Sequence, residues 1–302
     1  MTAQPETPPV PSQLSPHRAV RTDLPGRYGP VAALHAPASA TCPDLGATAL
    51  LVPGYTGSKE DFAPLIDPIS DAGIEVFAID LPGQYESPGP VAEAEYRPAP
   101  LGAALAELVE KLASEGRTVL LLGHSYGGLV ARGAVLAGAP IAGLTLLSSG
   151  PAELPVGERR TALDVGESML RQQGMAAAQR VRESLDAASP QWARQPRAVK
   201  ALFRDRFLRS SPSALLGMAD GLRYEPDLVP TLARALRTAG VPCLVVCGED
   251  DDAWPVGRQR DMAERLDADF AVLPGAKHNP NIENPEALLA TLLPTWRAWL
   301  SS

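Results

Sequence analysis

The run Gly123-His124-Ser125-Tyr126-Gly127 is where residue types and spacing first point to chemistry. A serine flanked by glycine two positions before and two positions after suits a turn too sharp for larger side chains. Here the turn would join an apolar β-like run at 118–122 to a helical pattern at 126–137. That context sets the serine hydroxyl at a helix start, where backbone N–H groups and the positive end of the helix dipole face outward. Ser125 is therefore expected to be a nucleophile.

A serine hydroxyl at neutral pH needs a base to take its proton. The chain holds four histidines. His17 borders the N-terminal segment, His35 ends an edge strand and His124 is inside the motif itself, which leaves His278, in a loop just after the last apolar run. The base in turn needs a carboxylate to hold its tautomer and to stabilise the imidazolium. Glu249, Asp250, Asp251 and Asp252 lie together in the loop after 243–247, and by charge alone any of them could serve.

These residues require a scaffold that brings distant loops to one edge. Short alternating or apolar runs at 17–22, 31–35, 48–52, 74–79, 118–122, 141–147, 243–247 and 270–273 read as strands. From the third onward they alternate with helical patterns at 59–72, 101–115, 126–137, 228–239, 256–266 and 285–300. Such alternation predicts an α/β fold with an eight-stranded, mostly parallel sheet flanked by helices, because parallel strands need crossovers. The first two strands would form an antiparallel edge. Asp227 is placed to cap the helix that follows it, and Gly240 to end that helix. Ligands of open α/β sheets bind at the carboxyl edge, where Ser125 and His278 would both lie.

The segment 150–226 interrupts the alternation with helical patterns alone. Its apolar residues, among them Met169, Leu170, Phe203, Phe207, Leu215 and Leu216, recur at helical spacing between charged ones. They are expected to pack on the sheet domain, and as a helical cap inserted after the sixth strand they would also form a substrate pocket. The resulting organisation is a disordered tail over 1–16, a core over 17–149 and 227–302, and a cap over 150–226.

Composition narrows the function classes. A hydrophobic fraction of 45% and a charged fraction of 21% are those of a globular protein. The net charge of −8 argues against nucleic acid as a partner, since phosphate backbones are gripped by clustered Lys and Arg. Cys42, Cys243 and Cys247 have neither disulfide nor metal-ligand spacing and are read as core residues. The longest apolar stretch, 129–147, is interrupted by Arg132, three glycines and Pro140 and makes a poor membrane span. With no secretory signal in the first residues, the expectation is a cytoplasmic protein. Phosphate loops, nicotinamide fingerprints and zinc-spaced clusters do not occur, so no cofactor is expected. Composition leaves the oligomeric state open.

The motif residues and their order, Ser125 then the acidic loop then His278, resemble the α/β-hydrolase superfamily, in its capped, serine-nucleophile, esterase- and lipase-like form, over nearly the whole chain. The resemblance selects Asp251 as the acid, because Gly248, Asp251 and Pro255 match the family's G-x-x-D pattern with a proline four residues on. It implies an oxyanion hole made of the backbone N–H groups of Tyr126 and Tyr55. The latter follows Pro53-Gly54, where many members carry His-Gly. The Asp80-Leu-Pro-Gly83 segment resembles the family's D-x-x-G turn and is expected to do no catalytic work. Trp254 and Asn279 are candidate pocket residues through adjacency to the triad. The function implied is hydrolysis of a carboxylic ester, thioester or lactone with an apolar acyl part, through an acyl-enzyme. The same serine is kept by acyltransferases, cofactor-free perhydrolases and C–C bond hydrolases; some members of the superfamily bind a ligand or partner without turnover, and the intact triad sequence argues against that here.

Overall fold

The computed structural model of the protein describes residues 10–188 and 190–301, apart from the side chain of Gln191. The expected tail therefore lies largely outside the described residues. Strands β1 (Val20–Gly26) and β2 (Gly29–Ala36) form a hairpin, followed by β3 (Ala47–Val52), α1 (Ala63–Asp71) and β4 (Ile74–Ile79). Then come α2 (Pro98–Ser114), β5 (Thr118–His124), α3 (Tyr126–Leu136) and β6 (Gly143–Leu147). Helices α4 (Glu158–Ala187), α5 (Pro190–Arg194), α6 (Arg197–Arg209) and α7 (Pro212–Tyr224) follow β6 without an intervening strand. The chain ends with α8 (Val229–Ala239), β7 (Cys243–Gly248), α9 (Val256–Leu266), β8 (Asp269–Leu273), α10 (Pro280–Glu283) and α11 (Pro285–Leu300).

The sheet has eight strands in the order β1-β2-β4-β3-β5-β6-β7-β8. β1 and β2 pair antiparallel, β2 runs antiparallel to β4, and the rest are parallel. The first strand begins three residues later than its expected start at 17 and reaches Gly26. It is an outer strand with no fully buried residue, so little apolar alternation marks it.

Alternation along the central strands sends side chains to two cores. Val119 and Leu121 join Leu105, Val109, Leu129, Leu232 and Met262 on the face covered by α2, α3, α8 and α9. Leu120 and Leu122 join Leu65, Ile66, Leu288 and Trp296 on the face covered by α1 and α11. Trp296 is fully buried and its Nε1–H donates to Thr145 Oγ1 at 3.0 Å, so the indole brings no unpaired donor into the core. Asp227 Oδ1 accepts from the Val229 amide at 2.9 Å, and Gly240 closes α8 with φ +66°, as the sequence predicts.

Helices α4 to α7 bring their own apolar cluster, Leu170, Ala178, Phe207, Leu215 and Leu216, against Tyr55 of the loop after β3. Helix α4 breaks at Gly174, whose φ of 77° no regular helix contains. Among the described residues no helix is long and apolar enough to cross a membrane.

Candidate active site

Ser125 stands between β5 and α3 with φ 54° and ψ −119°, a left-handed conformation that costs a non-glycine residue about 1–3 kcal/mol and is held by its surroundings. Its amide donates to Leu147 O at 2.8 Å, and its carbonyl accepts from Gly128 N at 2.9 Å and Ser149 Oγ at 2.8 Å. A side chain at Gly123 would strike the Gly127 carbonyl, and one at Gly127 would strike the Val52 carbonyl. The two glycines are therefore steric requirements of the turn.

The loops after β5, β7 and β8 bring three side chains together at the carboxyl edge. Ser125 Oγ lies 2.9 Å from His278 Nε2, and His278 Nδ1 lies 3.0 Å from Asp251 Oδ1. All three residues are buried, and the Asp251 side chain is wholly so. With the carboxylate accepting, Nδ1 carries the ring proton and Nε2 is free to accept from the serine hydroxyl. Asp251 Oδ1 also accepts from Ala253 N and Oδ2 from Gln259 Nε2, both at 2.9 Å. Burial raises the pKa of Asp251, but its bonds to His278, Ala253 and Gln259 outweigh that and hold it below the usual carboxylate value. The other acidic residues of the loop turn elsewhere. Asp252 pairs with Arg159 at 2.7 Å, Glu249 accepts from Gly275 N at 3.1 Å, and Asp250 is exposed.

His124 meets the same loop from below. Its Nε2–H donates to the His278 carbonyl at 2.8 Å, and its Nδ1 has no partner. Burial, aided by the neighbouring His278, pulls its pKa down to about 4, so the ring is neutral. His35, by contrast, bonds Glu75 at 2.9 Å and stacks on Phe77 at the other side of the sheet.

Gly54 approaches the nucleophile closely: a Cβ there would lie 3.0 Å from Ser125 Cβ. The Gly54 carbonyl accepts from Gly57 N at 3.0 Å and from Gln84 Nε2 at 2.8 Å. Asp80 anchors the neighbouring turn, accepting from Lys59 N at 2.7 Å, Lys59 Nζ at 3.1 Å and Glu86 N at 3.2 Å. Among the described residues neither the Tyr55 nor the Tyr126 amide has a protein acceptor. The Tyr126 hydroxyl is committed to Tyr96 O at 2.5 Å, deep in the core.

A cavity of about 790 Å³ has Ser125, His278, Gly54 and Tyr55 in its wall, a size suited to a small organic ligand. Leu170, Phe207, Leu215 and Leu216 form an apolar side, so the residues expected to pack on the sheet domain also line the cavity. Asn279 contributes to the lining. Trp254, expected beside the pocket, does not: it is fully buried, and its Nε1–H is shared between the Ala152 and Glu153 carbonyls at 3.2 Å each. Its ring packs in the core behind His278, at 6.4 Å between centroids. Cys243 and Cys247 are buried, with burial pushing both thiols up to about 12, whereas Cys42 is only half-buried in a loop.

Sequence reasoning missed Gln84 and Gln259, and it passed over His124 as merely adjoining the nucleophile. Gln84 acts from a loop, Gln259 from α9 and His124 from the end of β5, each on a different segment of chain and at a spacing that marks none of them.

The family model described as "Alpha/beta hydrolase family" matches residues 49–291. A protein of Escherichia fergusonii named 2-succinyl-6-hydroxy-2,4-cyclohexadiene-1-carboxylate synthase is 32% identical over 57% of this chain and 66% of its own length. A Bacillus subtilis (strain 168) protein with the same name, given provisionally, is 25% identical over 80% of this chain and 88% of its own. Among solved structures, a thermophilic esterase from Thermogutta terrifontis superposes with TM-score 0.70 at 23% identity, covering 93% of this chain and 99% of that one.

Proposed function

Because this chain belongs to the alpha/beta hydrolase family, we propose that it is a serine hydrolase that cleaves a carboxylic ester, thioester or lactone through an acyl-enzyme. The observation that carries the reading is the unbroken hydrogen-bonded chain from Ser125 Oγ through His278 to Asp251. Ser125 Oγ attacks the carbonyl carbon while His278 Nε2 accepts its proton, and Asp251 holds the imidazolium that forms. The Tyr55 and Tyr126 N–H groups face the developing oxyanion, each donor lowering the barrier by about 3 kcal/mol. The alcohol then leaves with the proton returned by His278, and water repeats the sequence to free the acid.

Residues 150–226 act in this reading as a cap over the core of 17–149 and 227–302, and its apolar wall favours an acyl substrate. Three free cysteines suit a reducing compartment, and we place the protein in the cytoplasm. A fluorophosphonate probe together with p-nitrophenyl esters of graded chain length tests the assignment. Labelling and turnover that vanish in Ser125→Ala support it, and an unlabelled, inert wild type refutes it.

The relatives named as synthases favour a second reading. In it, His278 makes Ser125 Oγ a base that removes a proton from a substrate carbon, and no acyl group is transferred. Mass spectrometry after mixing with an activated ester separates the two, because only the first leaves an acyl adduct on Ser125.

A further inference from the structure

Three arginines from the helices after β6 line the same cavity as Ser125: Arg159, which is paired with Asp252 at 2.7 Å, and Arg182 and Arg206. Arg206 of α6 is almost fully buried. Its Nη1 bonds Asp61 Oδ1 at 2.7 Å, its guanidinium lies 4.1 Å over the Phe203 ring, and its Nε has no partner. Arg182 of α4 lies 5.1 Å from the Phe207 ring and 5.9 Å from Phe203, and its buried Nη1 has no partner among the described residues. Its one carboxylate within reach among the described residues is Asp186, at 3.9 Å, the outer limit of an ion pair.

The other charged groups nearby are better matched. Glu167 is taken by Arg171 at 2.6 Å and Arg223 at 2.9 Å, Asp252 by Arg159 at 2.7 Å, and Glu283 by the Lys277 and Asn279 amides. Asp61 is used by Arg206 and by the Ser58 amide at 3.1 Å. Two guanidiniums thus share a largely apolar space with close pairing for only one. Burial, followed by repulsion from Arg206, pulls Arg182 down to about 10. Tyr55, whose ring packs on the same helices, also lines the cavity, and burial pushes its phenol up to about 12, so its hydroxyl is neutral. Orphaned buried donors of this kind cost stability unless a ligand meets them.

We propose that Arg182 and Arg206, with the Tyr55 hydroxyl, form a subsite for a carboxylate carried by the acyl part of the substrate. The unpartnered Nη1 of Arg182 and Nε of Arg206 are guanidinium N–H donors, which suit a carboxylate. Leu170, Leu215 and Leu216 add an apolar wall to the cavity that these arginines share with Ser125. The substrate class is then the half-ester or half-thioester of a dicarboxylic acid, or a lactone that carries a free carboxylate. This inference rests on the hydrolase reading for the identity of the reacting bond, but not for the binding of the anion.

The test compares mono-p-nitrophenyl adipate with its uncharged primary amide. Wild type is expected to favour the anionic ester in kcat/KM by about tenfold or more, the worth of one buried charge-assisted pair. Arg182→Met brings the ratio close to one, Arg182→Lys retains part of it, and Arg234→Met on the outer face of α8 leaves it unchanged. A wild-type ratio near one, or a ratio that survives Arg182→Met, overturns the subsite while leaving the hydrolase intact. If neither ester is cleaved, the hydrolase reading fails and adipate binding by calorimetry decides the subsite. Adipate binding that weakens about tenfold in Arg182→Met, with adipamide inert, upholds it. Absence of adipate binding, or equal binding by the variant, ends it.

Discussion

Gln84 Nε2 donates to the Gly54 carbonyl at 2.8 Å, and that carbonyl belongs to the peptide whose N–H is that of Tyr55. Because the peptide is planar and trans, fixing the oxygen on one side fixes the N–H on the other. The amide proposed to meet the oxyanion is thus aimed by a side chain from the loop after β4. Replacing Gln84 by Ala should lower kcat for p-nitrophenyl butyrate by about tenfold, with KM little changed, as the loss of part of one oxyanion donor requires. Gln84→Glu should do no better, since a carboxylate cannot donate to a carbonyl. A raised KM at unchanged kcat would assign Gln84 to binding instead.

Ser125→Ala should remove turnover almost completely, whereas Tyr126→Phe and Tyr55→Phe should lose much less, because the backbone amides remain. The Tyr126 variant pays elsewhere. Its hydroxyl satisfies the buried Tyr96 carbonyl, and deleting it should cost about 1–3 kcal/mol of stability by urea unfolding. Turnover losses in the phenylalanine variants equal to that of Ser125→Ala would contradict the backbone assignment.

Asp251→Asn should cut kcat by about 10⁴, because the amide cannot hold the same imidazole tautomer or stabilise its charge. Gln259→Leu removes the donor to Asp251 Oδ2 and should raise the pKa of that carboxylate. In the wild type the lowered pKa stabilises the fold above the ordinary carboxylate range, and the gain is lost as pH falls through the folded value. Acid unfolding of Gln259→Leu should therefore begin at higher pH, read by tryptophan fluorescence.

His124 gives a second pH dependence of known sign. The folded ring protonates near 4 and the unfolded one near 6.5, so between these values the unfolded chain binds more protons and stability rises with pH. The difference amounts to about 3 kcal/mol, fully present above the unfolded value and lost as pH falls toward 4. His124→Gln, which keeps a donor for the His278 carbonyl, should flatten the stability profile across that window. Urea unfolding at pH 4.5 and pH 7 measures it.

The parts of the fold written locally were legible in advance. The elbow declares itself because Gly123 and Gly127 are steric necessities within five residues of chain, and the central strands because both faces are buried. β1 was harder to place, since no residue in it is fully buried and its pattern carries little signal. His278 could be reached by elimination, but Asp251 needed the pattern of Gly248 and Pro255, as four neighbouring acids carry the same charge. Adjacency misled at Trp254, whose side chain turns inward to the Ala152 and Glu153 carbonyls. Gln84, Gln259 and the unpartnered Nη1 of Arg182 gain their meaning only where separate elements meet, which no spacing along the chain encodes.

Tyr55 belongs to two structures at once. Its main chain sits in the tight loop beside Ser125, while its ring packs against the cluster of Leu170, Phe207, Leu215 and Leu216 from the helices after β6. A single Cα is therefore the lever arm between them. A displacement of those helices therefore reaches the loop that runs beside Ser125, so the wall of the chamber and the serine edge share one anchor.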